Sequence, residues 1–369
     1  MKRLIASVTV VAFVAGLLGC GDDGAGPADP TDIGSLMEFY AVPGVSVAVI
    51  RDFQLDYVEV HGVASRITLE PATRNTLFQA ASISKPVSAV AAMRLVQEGK
   101  IDLDTDINAY LTSWQVPENE FVSVEKVTLR RLLSHTAGTT VHGFRGYRYT
   151  EPRPTLIQIL NGTPPANSSP IVVDFIPGTD ARYSGGGYIV MQQALMDIEG
   201  TTFPEIMWET VLQPVGMENS TFEQPLPESR LASASAGHYS NGQVVPGDHH
   251  IYPEMAAAGL WTTAEDLARF LIELQSSLQG ESNQVLSREL VELMLTEVRG
   301  GFGLGFAVWS DRGEGYFGHG GANEGYRCFM VAHRSGGFGV VVMTNSDAGA
   351  DLADAVVELI GAREGWPGY

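Results

Sequence analysis

Hydrophobic and polar positions along the chain change period several times. Residues 45–52 (VSVAVIRD) and 56–64 (DYVEVHGVA) are two β-rich runs joined by a short turn, which predicts a hairpin. Residues 82–99 (SISKPVSAVAAMRLVQEG) form an apolar stretch that ends at Gly99 and predicts a helix. From 101 to 182 the pattern breaks into loops and short helices with several prolines, and helical segments are predicted at 184–199 and 203–217. Residues 264–280 (AEDLARFLIELQSSLQG) carry apolar side chains at 267, 270, 271 and 274, the stripe of an amphipathic helix; 287–297 predicts another. Strand patterns return at 301–310, 315–321, 325–334 and 338–347, followed by a last helix over 350–363. Strands at both ends with helices between them predict an α+β fold: one antiparallel sheet built from the N- and C-terminal segments and flanked by helices, with an all-helical domain inserted in the middle. Regular strand–helix alternation is absent, which argues against a doubly wound parallel sheet.

The first residues have a different character. Met1-Lys2-Arg3 is a positive start, and residues 4–19 are uncharged and apolar, 16 residues against the ~20 that span a bilayer as a helix. An export signal over 1–19 is expected. Leu17-Leu18-Gly19-Cys20 resembles a bacterial lipobox, which implies lipidation of Cys20; an ordinary signal peptide or an uncleaved anchor is the alternative. Residues 20–32 lack apolar periodicity and are rich in Gly, Asp, Pro and Ala, as in a flexible tether, so the folded domain is expected over 33–369. The expected location is the bacterial cell envelope or periplasm, with the membrane met through the lipid alone.

Composition narrows the function classes. Asp plus Glu number 43 against 23 Lys plus Arg, a net charge of −20, which disfavours nucleic acid as a partner. Two cysteines make neither a disulfide scaffold nor a structural zinc site, and Cys328, in an apolar run, is expected as a buried free thiol. His249-His250 lacks metal-ligand spacing and GGFGLG (300–305) lacks dinucleotide-loop spacing, so no metal and no cofactor is expected.

The chemical signal is Ser82-Ile83-Ser84-Lys85. On a helix, positions i and i+3 share a face, so the hydroxyl and the amine can meet. A serine hydroxyl needs a neighbour to take its proton, and lysine serves if burial favours its neutral form. Bringing an amine from ~10.4 to near neutrality costs about 4 kcal/mol, so only a specialised site bears it. Lys85 is one of four lysines in the chain. With Pro86 suited to a first helical turn, Ser82 is expected at or beside the N-cap, and a simple capping role is the alternative. The spacing alone is weak: Ser123-Val124-Glu125-Lys126 repeats it in a polar, loop-like setting.

Two further elements are Tyr183-Ser184-Gly185, opening a helix, and His319-Gly320-Gly321, ending a short strand. In this order and at these gaps the three resemble the serine β-lactamase and penicillin-binding-protein superfamily, in its class C branch with family VIII esterases and D-aminopeptidase-like hydrolases. PGVSVAVI (43–50), LLSHTAG (132–138), AAGLWTTAEDLARF (257–270) and GHGGANEGY (318–326) are similar too, so the resemblance runs from about residue 35 to the end. It implies a catalytic site in the cleft between sheet and helical domain. Ser82 is then the nucleophile, Lys85 and Tyr183 share general-base and proton-shuttle work, and His319 lines the cleft where many relatives have Lys, holding substrate or relaying a proton. The backbone N–H groups of Ser82 and Ala322 are the implied oxyanion hole. Gly320 and Gly321 leave room for substrate along the strand edge, a tight turn being the alternative. Gly185 stands at a substrate-facing position where many relatives have Asn, which disfavours β-lactams and is expected to widen the cleft. His135 is expected as a turn residue, and Asn323 and Glu324 as either substrate contacts or turn residues. The implied function is an envelope-anchored serine hydrolase that forms an acyl-enzyme and cleaves small-molecule esters or D-amino-acid-containing amides and peptides. A β-lactamase or DD-carboxypeptidase is the alternative within the class, and a non-catalytic lipoprotein binding peptidoglycan or a partner is the alternative outside it.

Overall fold

The computed structural model describes residues 32–309 and 315–369. The expected export signal, Cys20 and nearly all of the expected tether lie outside the described residues. Asp32 caps the first helix, Ile33–Phe39, its carboxylate accepting the Ser35 N–H at 2.8 Å.

Eight strands follow in chain order: β1 (Gly44–Arg51), β2 (Gln54–Gly62), β3 (Phe78–Gln79), β4 (Trp261–Thr262), β5 (Ala307–Trp309), β6 (Tyr316–Asn323), β7 (Tyr326–His333) and β8 (Gly339–Thr344). Six form one sheet in the order β2-β1-β8-β7-β6-β5, with every neighbouring pair antiparallel; β3 and β4 pair separately. The β1–β8 pairing joins the N-terminal hairpin to the C-terminal meander.

β1 is buried along its length up to Arg51 because both of its faces are covered. Val45, Val47 and Val49 pack with Leu352, Val356 and Ile360 of the C-terminal helix (Gly349–Glu364). Ala48 and Ile50 turn the other way into the main core, which also holds Leu267, Phe270, Leu271 and Leu274 of the helix Ala264–Gln279. Period-2 alternation thus feeds two cores from one strand, and the sheet is the middle of three layers. The helical segments between β3 and β4 include the largely buried helices Ser84–Gln97 and Gly185–Glu199.

Two elements differ from the sequence pattern. The strand expected over 301–310 is reduced to β5, because Gly300, Gly301 and Gly305 adopt positive φ (63°, 79° and 96°) and turn the chain before it can pair. The helix expected over 203–217 divides into Phe203–Met207, a wider-wound turn at Trp208–Leu212 and Gln213–Val215. Pro214 has no N–H to give the Thr210 carbonyl, and the winding widens just ahead of it.

Candidate active site

Ser82 sits on a tight turn, Ala81–Ile83, immediately before the helix Ser84–Gln97. It therefore stands beside the N-cap, which Ile83 occupies. Ala81 is held at φ +50°, a left-handed conformation unusual for alanine. The turn is tied down from both sides: the Ser84 hydroxyl donates to Ala81 O at 2.6 Å and accepts the Leu260 N–H at 3.0 Å, and Ala80 N–H donates to Leu260 O at 2.9 Å. Strained backbone of this kind, fixed by its neighbours, clusters at functional sites in proteins generally.

One helical turn on, Lys85 is buried to 2% exposure and its ammonium nitrogen donates to Ser82 Oγ at 3.0 Å and to the Ala257 carbonyl at 2.8 Å. Among the described residues no carboxylate pairs with it, and burial brings its pKa down from 10.5 to about 7. Near neutrality it is a mixture of ammonium and free amine, and the free amine is a proton acceptor within reach of the hydroxyl.

The Tyr183 phenol hydrogen-bonds Ser82, and burial raises its pKa, so it stays protonated at neutral pH. Lys85 Nζ lies 4.9 Å from the centre of its ring. Tyr183 is aimed by its surroundings. Ser184 caps the helix Gly185–Glu199 by accepting the Gly187 N–H at 3.0 Å, and its own N–H donates to His135 Nδ1 at 3.1 Å. The His135 ring lies 4.3 Å from the Tyr183 ring, with His142 at 4.8 Å. His135 does occupy a bend, at φ +60°, and it is buried and held neutral chiefly by desolvation. Its acceptor role goes beyond that of a turn residue.

His319, on β6, is buried with its ring centre 5.9 Å from that of Tyr183. Burial first, then the Lys85 charge, bring its pKa down to about 4, so the ring is neutral at pH 7. Nδ1 faces the Gly320 carbonyl, which only accepts; the ring proton therefore sits on Nδ1, and Nε2 carries a lone pair.

The phase of β6 is set at its start, where the Arg334 N–H donates to Gly315 O at 2.8 Å. Odd-numbered residues of β6 bond across to β7, so the N–H groups of Gly318, Gly320 and Ala322 point the other way. β5 partners β6 only from Tyr316 to Gly318, leaving the N–H groups of Gly320 and Ala322 on an edge without a strand neighbour. The Ala322 N–H is the one of these that suits an oxyanion shared with the Ser82 N–H; the Gly320 N–H lies about 7 Å along the strand, too far to reach the same oxygen.

The glycines correct the sequence reading. A Cβ on Gly321 would meet Ala80 O at 2.3 Å and Cys328 Sγ at 2.4 Å, so Gly321 lets β6 lie flush on the Ser82 turn and leaves no room for substrate there. A Cβ on Gly320 would point to the opposite face, with Phe329 nearest at 3.5 Å. At Gly185 the missing side chain does not widen the cleft: Phe144 and the His142 carbonyl stand 3.1 and 3.2 Å from where its Cβ would be.

Other expected positions have structural work. Asn323 donates to Gln79 Oε1 at 2.8 Å and to Ala258 O at 3.1 Å, and the Glu324 N–H donates to Tyr252 OH. Cys328 is a buried free thiol with Sγ 3.0 Å from Ala80 O, and burial pushes its pKa up. His250 Nδ1 contacts Arg145 O and the His249 ring packs edge-on to Trp261; among the described residues no cluster of His, Cys, Asp or Glu is arranged to hold a metal. Lys126, of the second Ser-x-x-Lys, is exposed and paired with Glu118 at 3.0 Å. Sequence reasoning missed Phe144, which packs beside Gly185, and Phe302, 4.9 Å from His135; Phe302 lies within GGFGLG, whose spacing carries no sign of that ring contact.

A sequence model of the family described as Beta-lactamase matches residues 31–362. The chain belongs to the beta-lactamase family. Among its relatives, Penicillin-binding protein 4 of Amycolatopsis lactamdurans is 25% identical over 343 residues, covering 88% of this chain and 86% of that one. The D-aminopeptidase of Brucella anthropi is 23% identical over 350 residues, covering 91% of this chain and 62% of that longer protein. The solved structure of a penicillin-binding protein from Bacillus halodurans superposes with TM-score 0.71 at 21% identity, over 89% of this chain and 98% of that one, which shows the shared fold. Within the beta-lactamase family the antiparallel sheet with flanking helices is the expected architecture, and this chain has it.

Proposed function

We propose that the protein is a serine hydrolase that forms an acyl-enzyme on Ser82, cleaving esters or D-amino-acid-containing amides and peptides. The observation that carries this reading is the 3.0 Å contact between the Ser82 hydroxyl and an amine that burial alone brings to a pKa of about 7. In acylation the Ser82 oxygen attacks the carbonyl carbon and its proton passes to Lys85. The oxyanion is held by the backbone N–H groups of Ser82 and Ala322, a donor of this kind being worth about 3 kcal/mol. Tyr183, hydrogen-bonded to Ser82, relays a proton to the leaving group as the carbonyl re-forms. Water then attacks the acyl-enzyme by the same route in reverse. His319 is a neutral hydrogen-bond acceptor in this scheme.

A β-lactamase or DD-carboxypeptidase activity is the second reading, favoured by relatives named Penicillin-binding protein 4 and Beta-lactamase. Gly185 weighs against it: no amide side chain stands at that position, and Phe144 fills the space beside it. The lipobox-like Leu17-Leu18-Gly19-Cys20 supports attachment to the cell envelope through a lipid on Cys20.

The pH profile tests the assignment of Lys85. The working form is the free amine, so kcat/KM for a p-nitrophenyl ester should rise with pH through an apparent pKa of about 7 and then level off. His319, near 4, should not titrate in this window, and Tyr183, raised above its usual value, should add no alkaline limb below pH 9. Ser82→Ala should remove the activity at every pH. A rate that falls between pH 6 and 8, or a Ser82→Ala variant with wild-type activity, would contradict the reading.

A further inference from the structure

The charged groups around Ser82 point to the kind of substrate the cleft accepts, on the footing that Ser82 is the nucleophile. Lys85 is the one cationic side chain that touches Ser82 among the described residues, and it must give up its charge to act as a base. The surrounding rings include three histidines and two tyrosines, His135, His142 and His319 with Tyr183 and Tyr188, and the apolar Phe302. His319 presents a lone pair at Nε2, which an anion would repel. Four arginines on neighbouring segments are engaged, while Arg299, three residues before Phe302, is exposed to solvent. Arg182 pairs with Asp174 and donates to Gly138 O and Thr139 O; Arg145 pairs with Glu151; Arg327 pairs with Asp347 and donates to Asn323 O. Arg148, on the same loop as Arg145, couples to Glu151 and Tyr239.

We infer that the cleft selects acyl donors with no free carboxylate near the scissile carbonyl, that is, neutral esters and amides in which any nearby acid is esterified or amidated. Two effects act together. A carboxylate buried here is desolvated without a cationic partner, which costs binding. A carboxylate beside Lys85 also stabilises the ammonium. Raising its pKa by about one unit cuts the free amine at pH 7 about fivefold. The net charge of −20 adds long-range repulsion of anions. Penicillins and peptides with a free C-terminal carboxylate at the scissile bond fall on the excluded side.

The test compares three p-nitrophenyl esters at pH 7: the butyrate, the hemisuccinate, in which a carboxylate replaces the terminal methyl, and the neutral succinamate. Butyrate and succinamate should react at similar kcat/KM, each at least about tenfold above the hemisuccinate. His319→Lys, which places a cation on β6, should narrow that gap at least about fivefold. The wild-type ratios stand alone if the variant fails to fold. Equal, Ser82-dependent hydrolysis of hemisuccinate and butyrate would overturn the selection and leave the acyl-enzyme reading intact. A succinamate as slow as the hemisuccinate would overturn it by assigning the effect to size. Turnover of none of the three, with no labelling of Ser82 by a fluorophosphonate, would overturn the acyl-enzyme reading itself.

Discussion

Lys85→Met is expected to reduce kcat/KM for a neutral ester by at least about 10³-fold while making the protein harder to unfold. The two effects have one cause. Lys85 has a pKa of about 7 in the folded chain and 10.5 in the unfolded one. Between those values the unfolded chain binds a proton that the folded chain does not, so Lys85 opposes folding. The penalty is fully present below about pH 7 and fades as pH rises toward 10.5. The shift sets an upper bound of about 5 kcal/mol. Methionine fills much of the same volume but gives up the bonds to Ser82 and the Ala257 carbonyl, so a net gain of about 1–3 kcal/mol is expected near neutral pH. Thermal unfolding at pH 6.5 and pH 10 checks the sign: the gain should shrink at the higher pH. A variant that is inactive and also less stable at pH 6.5 would mean that Lys85 holds the site together rather than being held under strain by it.

Gly321→Ala is expected to have the second largest effect. Its Cβ would fall 2.3 Å from Ala80 O and 2.4 Å from Cys328 Sγ. Neither atom yields easily: Ala80 belongs to the turn tied to Leu260, and Cys328 lies within β7. Relief requires β6 to move off the Ser82 turn, at a cost of about 1–3 kcal/mol in stability. The same movement carries the Ala322 N–H away from Ser82. Misplacing a catalytic group by about 1 Å lowers activity about 100-fold, and that is the loss expected here. Gly320→Ala is the control. Its Cβ would meet Phe329 at 3.5 Å, an ordinary contact on the other face of the strand, so stability should stay within about 1 kcal/mol. Chemical denaturation and ester kinetics on the two variants check the contrast; equal behaviour would show that contact with the turn does not set the position of β6.

The sequence carried some of these features and hid others, for physical reasons. The interleaved sheet was legible because β1 and β8 are dense in β-branched residues and lie at opposite ends of the helical stretch. The Lys85–Ser82 contact was legible because three residues along one helix is a local relation, whereas what holds Lys85 in place, the Ala257 carbonyl, is 172 positions away. Gly185 was misread for a similar reason. The sequence shows a missing side chain, but not that Phe144, from a loop with no periodic pattern, occupies the space. Gly321 was seen as open and is in fact closely covered, because strand-to-turn packing leaves no trace in a single run of residues. His135 stood out only as part of LLSHTAG; its ring contact with Tyr183 depends on a bend at positive φ.

The most direct test of the central claim is intact-protein mass spectrometry of residues 21–369 mixed with a short-chain p-nitrophenyl ester and quenched in acid, with Ser82→Ala in parallel. One acyl group per chain, absent from Ser82→Ala, is the predicted result. No adduct under conditions where the ester is hydrolysed, or an adduct that persists in Ser82→Ala, would contradict an acyl-enzyme on Ser82.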